Sequence, residues 1–170
     1  MRPGFPKFIK GDILSKNITG HELIVCQQVN CKGVMGAGLA KQIRNQFPRL
    51  YEKYRQKCLT TRNSKELLGE VQFYFTYGDQ PGMDFVIANI FGQDGYGRDK
   101  CYTDYNALRK GLKEVRKVAT PLPARTLTTV RIPYGMGCGL AGGKWETVYQ
   151  IIIEELIAYG IPVEIWRMSL

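Results

Sequence analysis

An α/β fold of three layers, with helices on both faces of a mixed, mostly parallel central sheet, is what the sequence predicts. Three observations carry it. Apolar runs of strand length, at residues 23–26, 84–90 and 127–132, alternate with stretches of helical spacing. Two of these strands, at 22–29 and 127–132, are each followed by a glycine-rich loop and then by a helical stretch. Residues 70–77 and 84–90 are separated only by a tight turn, so they form an antiparallel hairpin inside an otherwise parallel sheet.

Taken in order, Pro6-Lys-Phe-Ile-Lys reads as a first strand, and Gly11, Asp12, Ile13 and Leu14 turn out of its end. Polar residues 17–21 form a turn before the strand at 22–29. The first helix carries Leu39, Ile43 and Phe47 at i, i+4 and i+8. Pro48 suits the first turn of a second helix that bears Leu50, Tyr51 and Tyr54, and residues 60–65 form a loop. The strand at 70–77 alternates aromatic and β-branched side chains, with a turn at 78–82 before the buried strand at 84–90. Residues 91–102 are a glycine-containing loop of the kind that carries function. Thr103 is the expected N-cap of a third helix, which turns Leu108, Leu112, Val115 and either Val118 or Ala119 inward and ends at Pro121 and Pro123. The strand at 127–132 leads into a second glycine loop. A last helix follows with Trp145, Val148, Ile152 and Leu156, stopped by Gly160. Residues 163–168 close the chain as a strand.

A length of 170 residues, 44% hydrophobic and 23% charged, fits one domain spanning 1–170 with a core of its own. The apolar runs are far too short to span a membrane, and Met1-Arg-Pro-Gly-Phe-Pro holds no apolar signal core. The five cysteines, Cys26, Cys31, Cys58, Cys101 and Cys138, are odd in number and lack C-x-x-C spacing. That argues against a zinc site or a disulfide framework and for reduced thiols in a cytoplasmic protein.

The formal charge is +9. Lys41, Arg44, Arg49, Lys53, Arg55, Lys57, Arg62 and Lys65 stand against Glu52 alone, and Arg109, Lys110, Lys113, Arg116 and Lys117 enclose only Glu114. Solvated helix faces explain this as well as a field that attracts a polyanion or a phosphate-bearing ligand.

The first glycine loop reads Val29-Asn-Cys-Lys-Gly-Val-Met-Gly-Ala-Gly-Leu39. Strand, glycine loop and helix together present bare N–H groups and a helix N-terminus to an anion, and Gly36 and Gly38 are free to take positive φ. In the second loop, Gly137, Gly139 and Gly142 spell G-x-G-x-x-G. A dinucleotide-binding sheet needs several more βα units beyond this point, and the chain ends 28 residues after Gly142. Neither loop has the Gly-Lys-Ser or Gly-Lys-Thr of a Walker A motif. A tight turn is the plain alternative, but five glycines from Gly135 to Gly143 exceed what a turn needs. Parallel neighbouring strands would bring both loops to one ligand, where their amides would hold a diphosphate without a metal.

Gly11-Asp12-Ile13 after the first strand, Val29-Asn30 before Met35-Gly-Ala-Gly-Leu-Ala40, and Ile132-Pro133 before Gly137-Cys-Gly-Leu140 resemble a macrodomain over nearly the whole chain. The resemblance is to the branch of ADP-ribose-1″-phosphate phosphatases and terminal ADP-ribose glycohydrolases. It implies that Asp12 accepts a hydrogen bond from the adenine amino group beside the Ile13 amide, or else caps its turn. Trp166 would flank the adenine or be an ordinary packing tryptophan. Met35, Gly36, Ala37, Gly38 and Leu39, with Gly135, Met136, Gly137, Cys138, Gly139 and Leu140, would wrap the diphosphate and distal ribose. Asn30 would bond the distal ribose hydroxyls, brace its own loop, or do both.

The resemblance also marks a departure. The glycohydrolases place a lysine after the middle strand and an aspartate after Gly-Cys-Gly-Leu. Here those places fall at residues 91–93 and at Ala141, which disfavours that covalent route. Gln93, with Asn30, remains to place a water, and Asp94 or Asp104 to act as general base. Cys31 and Cys138 have no histidine partner and read as packing residues. The expected activity is hydrolysis of a group at the distal ribose, with a 1″-phosphate as the group removed, and with no metal and no cofactor. The rival is a non-catalytic reader of an ADP-ribosylated macromolecule, with nucleic acid as a further partner for the basic surface.

Overall fold

The computed structural model describes residues 4–17, 20–120 and 128–168. Its six strands are β1 (Lys7–Lys10), β2 (Glu22–Asn30), β3 (Val71–Phe75), β4 (Val86–Gln93), β5 (Thr128–Pro133) and β6 (Val163–Arg167). They form one sheet in the order β1-β6-β5-β2-β4-β3. Every neighbouring pair is parallel except β3 with β4, the hairpin that makes the sheet mixed. The helices are α1 (Gly38–Gln46), α2 (Pro48–Thr60), α3 (Tyr105–Ala119) and α4 (Trp145–Glu155).

The three layers follow from period-two alternation on strands that are buried on both faces. On β2, Leu23, Val25 and Val29 pack with Ile43 and Phe47, and with Leu50 and Tyr54 of α2. Ile24 and Cys26 point the other way, to Leu108, Leu112 and Val115 of α3 and Val148 and Ile152 of α4. At nine residues, α1 is too short to persist alone, since isolated helices need about 12–15 residues. Fully burying Ile43, worth about 1.5–3 kcal/mol, is what holds it to the sheet. On α3, Ala119 faces inward and Val118 is exposed, which settles the open choice between them.

Several boundaries differ from the sequence reading. Strand β4 runs on through Gln93, because Phe91 is fully buried and Asn30 pairs with Gln93 across a bulge. The cap of α3 is Asp104, whose carboxylate accepts from the Ala107 amide, while Thr103 bridges to Gln93. Helix α4 stops at Glu155, and Gly160 ends a short 3₁₀ turn instead (Ile157–Tyr159). A 3₁₀ turn (Ser64–Leu67) occupies part of the expected loop at 60–65. Pro121, Pro123 and Leu127 lie outside the described residues, as does part of the turn at 17–21.

The second basic group is largely spent within the molecule. Arg109 and Arg116 both pair with buried Glu155, Arg109 also reaches Glu154, and Lys117 pairs with Glu114. In the first group, Arg44 lies over Tyr51, Lys53 over Tyr74, and Lys57 pairs with Glu70. Among the described residues, no helix is long and apolar enough to cross a membrane.

Candidate functional site

Because β2 and β5 are adjacent and parallel, the loops that leave their carboxyl ends open on the same edge of the sheet. They face one cavity of about 630 Å³, within the usual range for a small-molecule site. The first loop contributes Gly36, Ala37, Gly38 and Leu39 to its wall, and the second contributes Gly135, Met136, Gly137, Gly139 and Leu140. Asn30 and Gln93 line the same cavity from the ends of β2 and β4.

Helix α1 begins in that wall. Its N-cap is Ala37, which offers no side-chain acceptor, and the first turn holds no acidic residue. A cap of serine or aspartate would stabilise the helix by roughly 1 kcal/mol, so this terminus leaves its first N–H groups open to an anion from the cavity. Gly38 takes a positive φ of 55° there, whereas Gly36 does not adopt a left-handed conformation. The expectation for Gly36 is corrected accordingly: its lack of a Cβ leaves the wall low without any special backbone angle. The second loop is self-braced by Cys138 N to Gly135 O (2.8 Å), Gly142 N to Gly139 O (3.1 Å) and Gly143 N to Gly137 O (2.9 Å).

Asn30 is buried and braces the first loop. Its Nδ2 donates to Val34 O at 2.7 Å, and its Oδ1 accepts from the Lys32 and Val34 amides and lies 2.8 Å from the Tyr54 hydroxyl. One Nδ2 hydrogen has no partner in this set. The side-chain amide of Gln93 is held at both ends: Oε1 accepts from Gln28 Nε2 at 3.0 Å, and Nε2 donates to Gly95 O at 2.9 Å.

Other expected residues lie outside the cavity wall. The Asp94 carboxylate accepts from Ser64 Oγ at 2.6 Å and pairs with Lys32 at 3.5 Å. Asp104 is occupied as the cap of α3. Met35 is buried in the core, and Cys138 packs against the α3/α4 core cluster.

Asp12, Ile13 and Trp166 form a group of their own beside the second loop. Asp12 caps its turn through Leu14 N at 2.9 Å and also meets Gln42 of α1. Trp166 lies under the Arg131 guanidinium at 4.3 Å, and its carbonyl accepts from Tyr134 N of the second loop at 2.8 Å. Arg131 also donates to Ile13 O and Ser15 O, both at 2.9 Å, so one buried cation fixes the turn that carries Asp12 and Ile13.

Burial raises the thiols of Cys26 and Cys31 to about 12 and that of Cys138 to about 11, so none is a thiolate at neutral pH. Among the described residues, the cavity wall contains no aspartate, glutamate, histidine or lysine, and Arg98 is its one charged residue. Sequence reasoning passed over Arg98, Tyr96, Tyr134, Gln27 and Gln28, all on this wall. The one available signal was Gln27-Gln28, an adjacent polar pair inside an otherwise apolar strand.

This arrangement defines a class. The macro domain family model matches residues 26–152, and the chain belongs to that family. A Meyerozyma guilliermondii protein named as an ADP-ribose 1″-phosphate phosphatase is 31% identical over 92% of this chain and 97% of its own. A Thermosipho africanus fusion of a DNA ADP-ribosyl transferase with a DNA ADP-ribosyl glycohydrolase is 26% identical over 81% of this chain and 36% of its own length. A solved Bacteroides thetaiotaomicron structure of unknown function superposes with a TM-score of 0.79 at 31% identity, covering 96% of this chain and 98% of that one.

Proposed function

We propose that this macrodomain binds ADP-ribose or a derivative and hydrolyses a group at the distal ribose, in the manner of an ADP-ribose-1″-phosphate phosphatase. The observation that carries the reading is the convergence of two main-chain loops, from adjacent parallel strands, on one cavity. The relative with a phosphatase name, matched along nearly its whole length, supports the reaction class.

In this reading the open N–H groups of α1 and of the second loop bind the diphosphate, and Arg98 adds a formal positive charge. Asp12, the Ile13 amide and Trp166 receive the adenine beside them. Asn30 uses its remaining Nδ2 hydrogen on the distal ribose, and Gln93 places a water. With Asp94 tied to Lys32 and Ser64, the water attacks phosphorus as the bond from phosphorus to the 1″ oxygen breaks, and the water's proton passes by way of a phosphate oxygen to that leaving oxygen, giving ADP-ribose and inorganic phosphate. Fixed amides aimed at the developing charge supply most of the rate. The five unpaired thiols support a reducing, cytoplasmic setting.

A second reading has its own observation. A wall whose described residues include no carboxylate, imidazole or amine suits a non-catalytic reader of ADP-ribose carried on a protein or nucleic acid. Calorimetry with ADP-ribose followed by phosphate release from ADP-ribose-1″-phosphate separates the two. Binding with turnover that Asn30→Ala abolishes supports the hydrolase. Binding without turnover supports the reader, and no binding heat refutes both.

A further inference from the structure

We propose that Gln28 is a positioning residue that fixes the orientation of Gln93 at the cavity and ties it to the second glycine loop; this rests on the hydrolase reading above. Gln28 Nε2 donates to Gln93 Oε1 and to Thr103 Oγ1, both at 3.0 Å. Thr103 Oγ1 in turn donates to Gly137 O at 2.6 Å, and Gln93 Nε2 donates to Gly95 O at 2.9 Å. The chain of bonds therefore ends at both sides on a main-chain carbonyl, which can only accept.

That fixes its polarity. The single hydroxyl hydrogen of Thr103 is committed to Gly137 O, so Gln28 must present its NH₂ there. The second hydrogen of that NH₂ makes Gln93 present Oε1, which turns Gln93 Nε2 toward Gly95 O. One of its hydrogens remains, in a direction that the network sets. The space for the Gln28 side chain is made by absent Cβ atoms. A Cβ at Gly92 would lie 2.6 Å from Gln28 Oε1, and one at Gly137 would lie 2.7 Å from it. Gly92 of β4 and Gly137 of the cavity wall thus accommodate a glutamine that reads, in sequence, as a polar accident within a strand.

Gln28→Glu keeps the shape and reverses the polarity. An ionised carboxylate only accepts, so Thr103 must turn its hydroxyl away from Gly137 O and Gln93 must flip its amide away from Gly95 O. The second loop retains its internal bond from Gly143 N to Gly137 O, so ligand binding changes less than turnover.

The test is steady-state hydrolysis of ADP-ribose-1″-phosphate by wild type, Gln28→Glu, Gln28→Met and Thr103→Val, with melting temperatures and calorimetry on ADP-ribose. At about pH 7.5, Gln28→Glu is expected to lower kcat at least about tenfold while KM stays within about threefold. As the pH falls toward about 5, the Gln28→Glu rate recovers relative to wild type, because a protonated carboxyl regains one donor; Gln28→Met does not recover. Wild-type kcat for Gln28→Glu, or a fall without pH recovery, overturns the proposal. Should Gln28→Glu fail to fold, Thr103→Val decides: a matching loss of kcat supports the network and wild-type kcat overturns it. A wild-type protein that does not turn over this substrate refutes the hydrolase reading and this proposal with it, whereas loss of the variant effect alone refutes only the role of Gln28.

Discussion

Gly139→Val is the substitution that best separates a binding glycine from a folding glycine. Gly139 lies on the cavity wall, outside the left-handed region, and a Cβ built there meets no atom within 4 Å. Valine therefore fits the fold, and losing a glycine reduces unfolded-state entropy by an amount worth about 0.4–1 kcal/mol in favourable cases. The same three carbons stand where a diphosphate oxygen would approach the loop amides. One charge-assisted N–H···O bond is worth about 1.5–3 kcal/mol, so its loss weakens ADP-ribose by roughly 10- to 100-fold. Gly36→Val, where the nearest atom to the new Cβ is Val34 Cγ1 at 3.7 Å, is expected to behave alike.

Gly137→Val is the contrasting control. Its φ is +75°, and its Cβ would lie 2.7 Å from Gln28 Oε1 and 3.1 Å from Thr103 Oγ1. Left-handed strain of about 1–2 kcal/mol and overpacking of about 1–3 kcal/mol add, lowering the melting temperature by roughly 5–15 °C. Calorimetry and thermal melts on the three variants decide. Wild-type affinity in both Gly139→Val and Gly36→Val would refute the idea that ligand lies against these two stretches of backbone.

Asp12→Ala removes a turn cap and, in the proposed mode, an adenine contact. ADP-ribose should weaken by about 1–2 kcal/mol, and an unchanged dissociation constant removes Asp12 from the site. Arg98→Gln should weaken ADP-ribose several-fold and flatten the salt dependence of binding; because Arg98 is exposed, we expect no more than about 1 kcal/mol, and an equal salt slope in both proteins would count against an ionic contact. Alkaline pH should destabilise the fold. Cys26 and Cys31 keep their protons to about 12 when folded and lose them near 9 when unfolded, so stability is full below about 9 and falls from there toward 12. Each such thiol contributes about 1.4 kcal/mol per pH unit, and urea melts of Cys26→Ala should show a shallower decline than wild type.

The layers were legible because the core strands read as short continuous apolar runs, buried on both faces, and each helix repeats every third or fourth residue. Ile43, Phe47, Leu108 and Leu112 are buried where their spacing puts them. The pairing of the glycine loops was legible as well, since each follows a strand and precedes a helix. What the pattern cannot express is which side chains meet across strands. Gln28 and Thr103 are 75 residues apart in the chain and meet because β2 pairs with β4, whose Gln93 bridges to Thr103. The same limit hid the engagement of Asp94 by Ser64 and Lys32, residues that sequence places in three different segments. Thr103 and Asp104 are equally good caps on paper, and the bridge from Thr103 to Gln93 decides between them.

The most direct measurement is a titration of the isotopically labelled protein with ADP-ribose, followed through its backbone amide resonances. The amides of Gly36 to Leu39 and of Gly135 to Leu140 are expected to shift together, in one saturable event, with Asp12 and Ile13 moving in step. Shifts confined to one of the two loops, or centred elsewhere on the molecule, would contradict it.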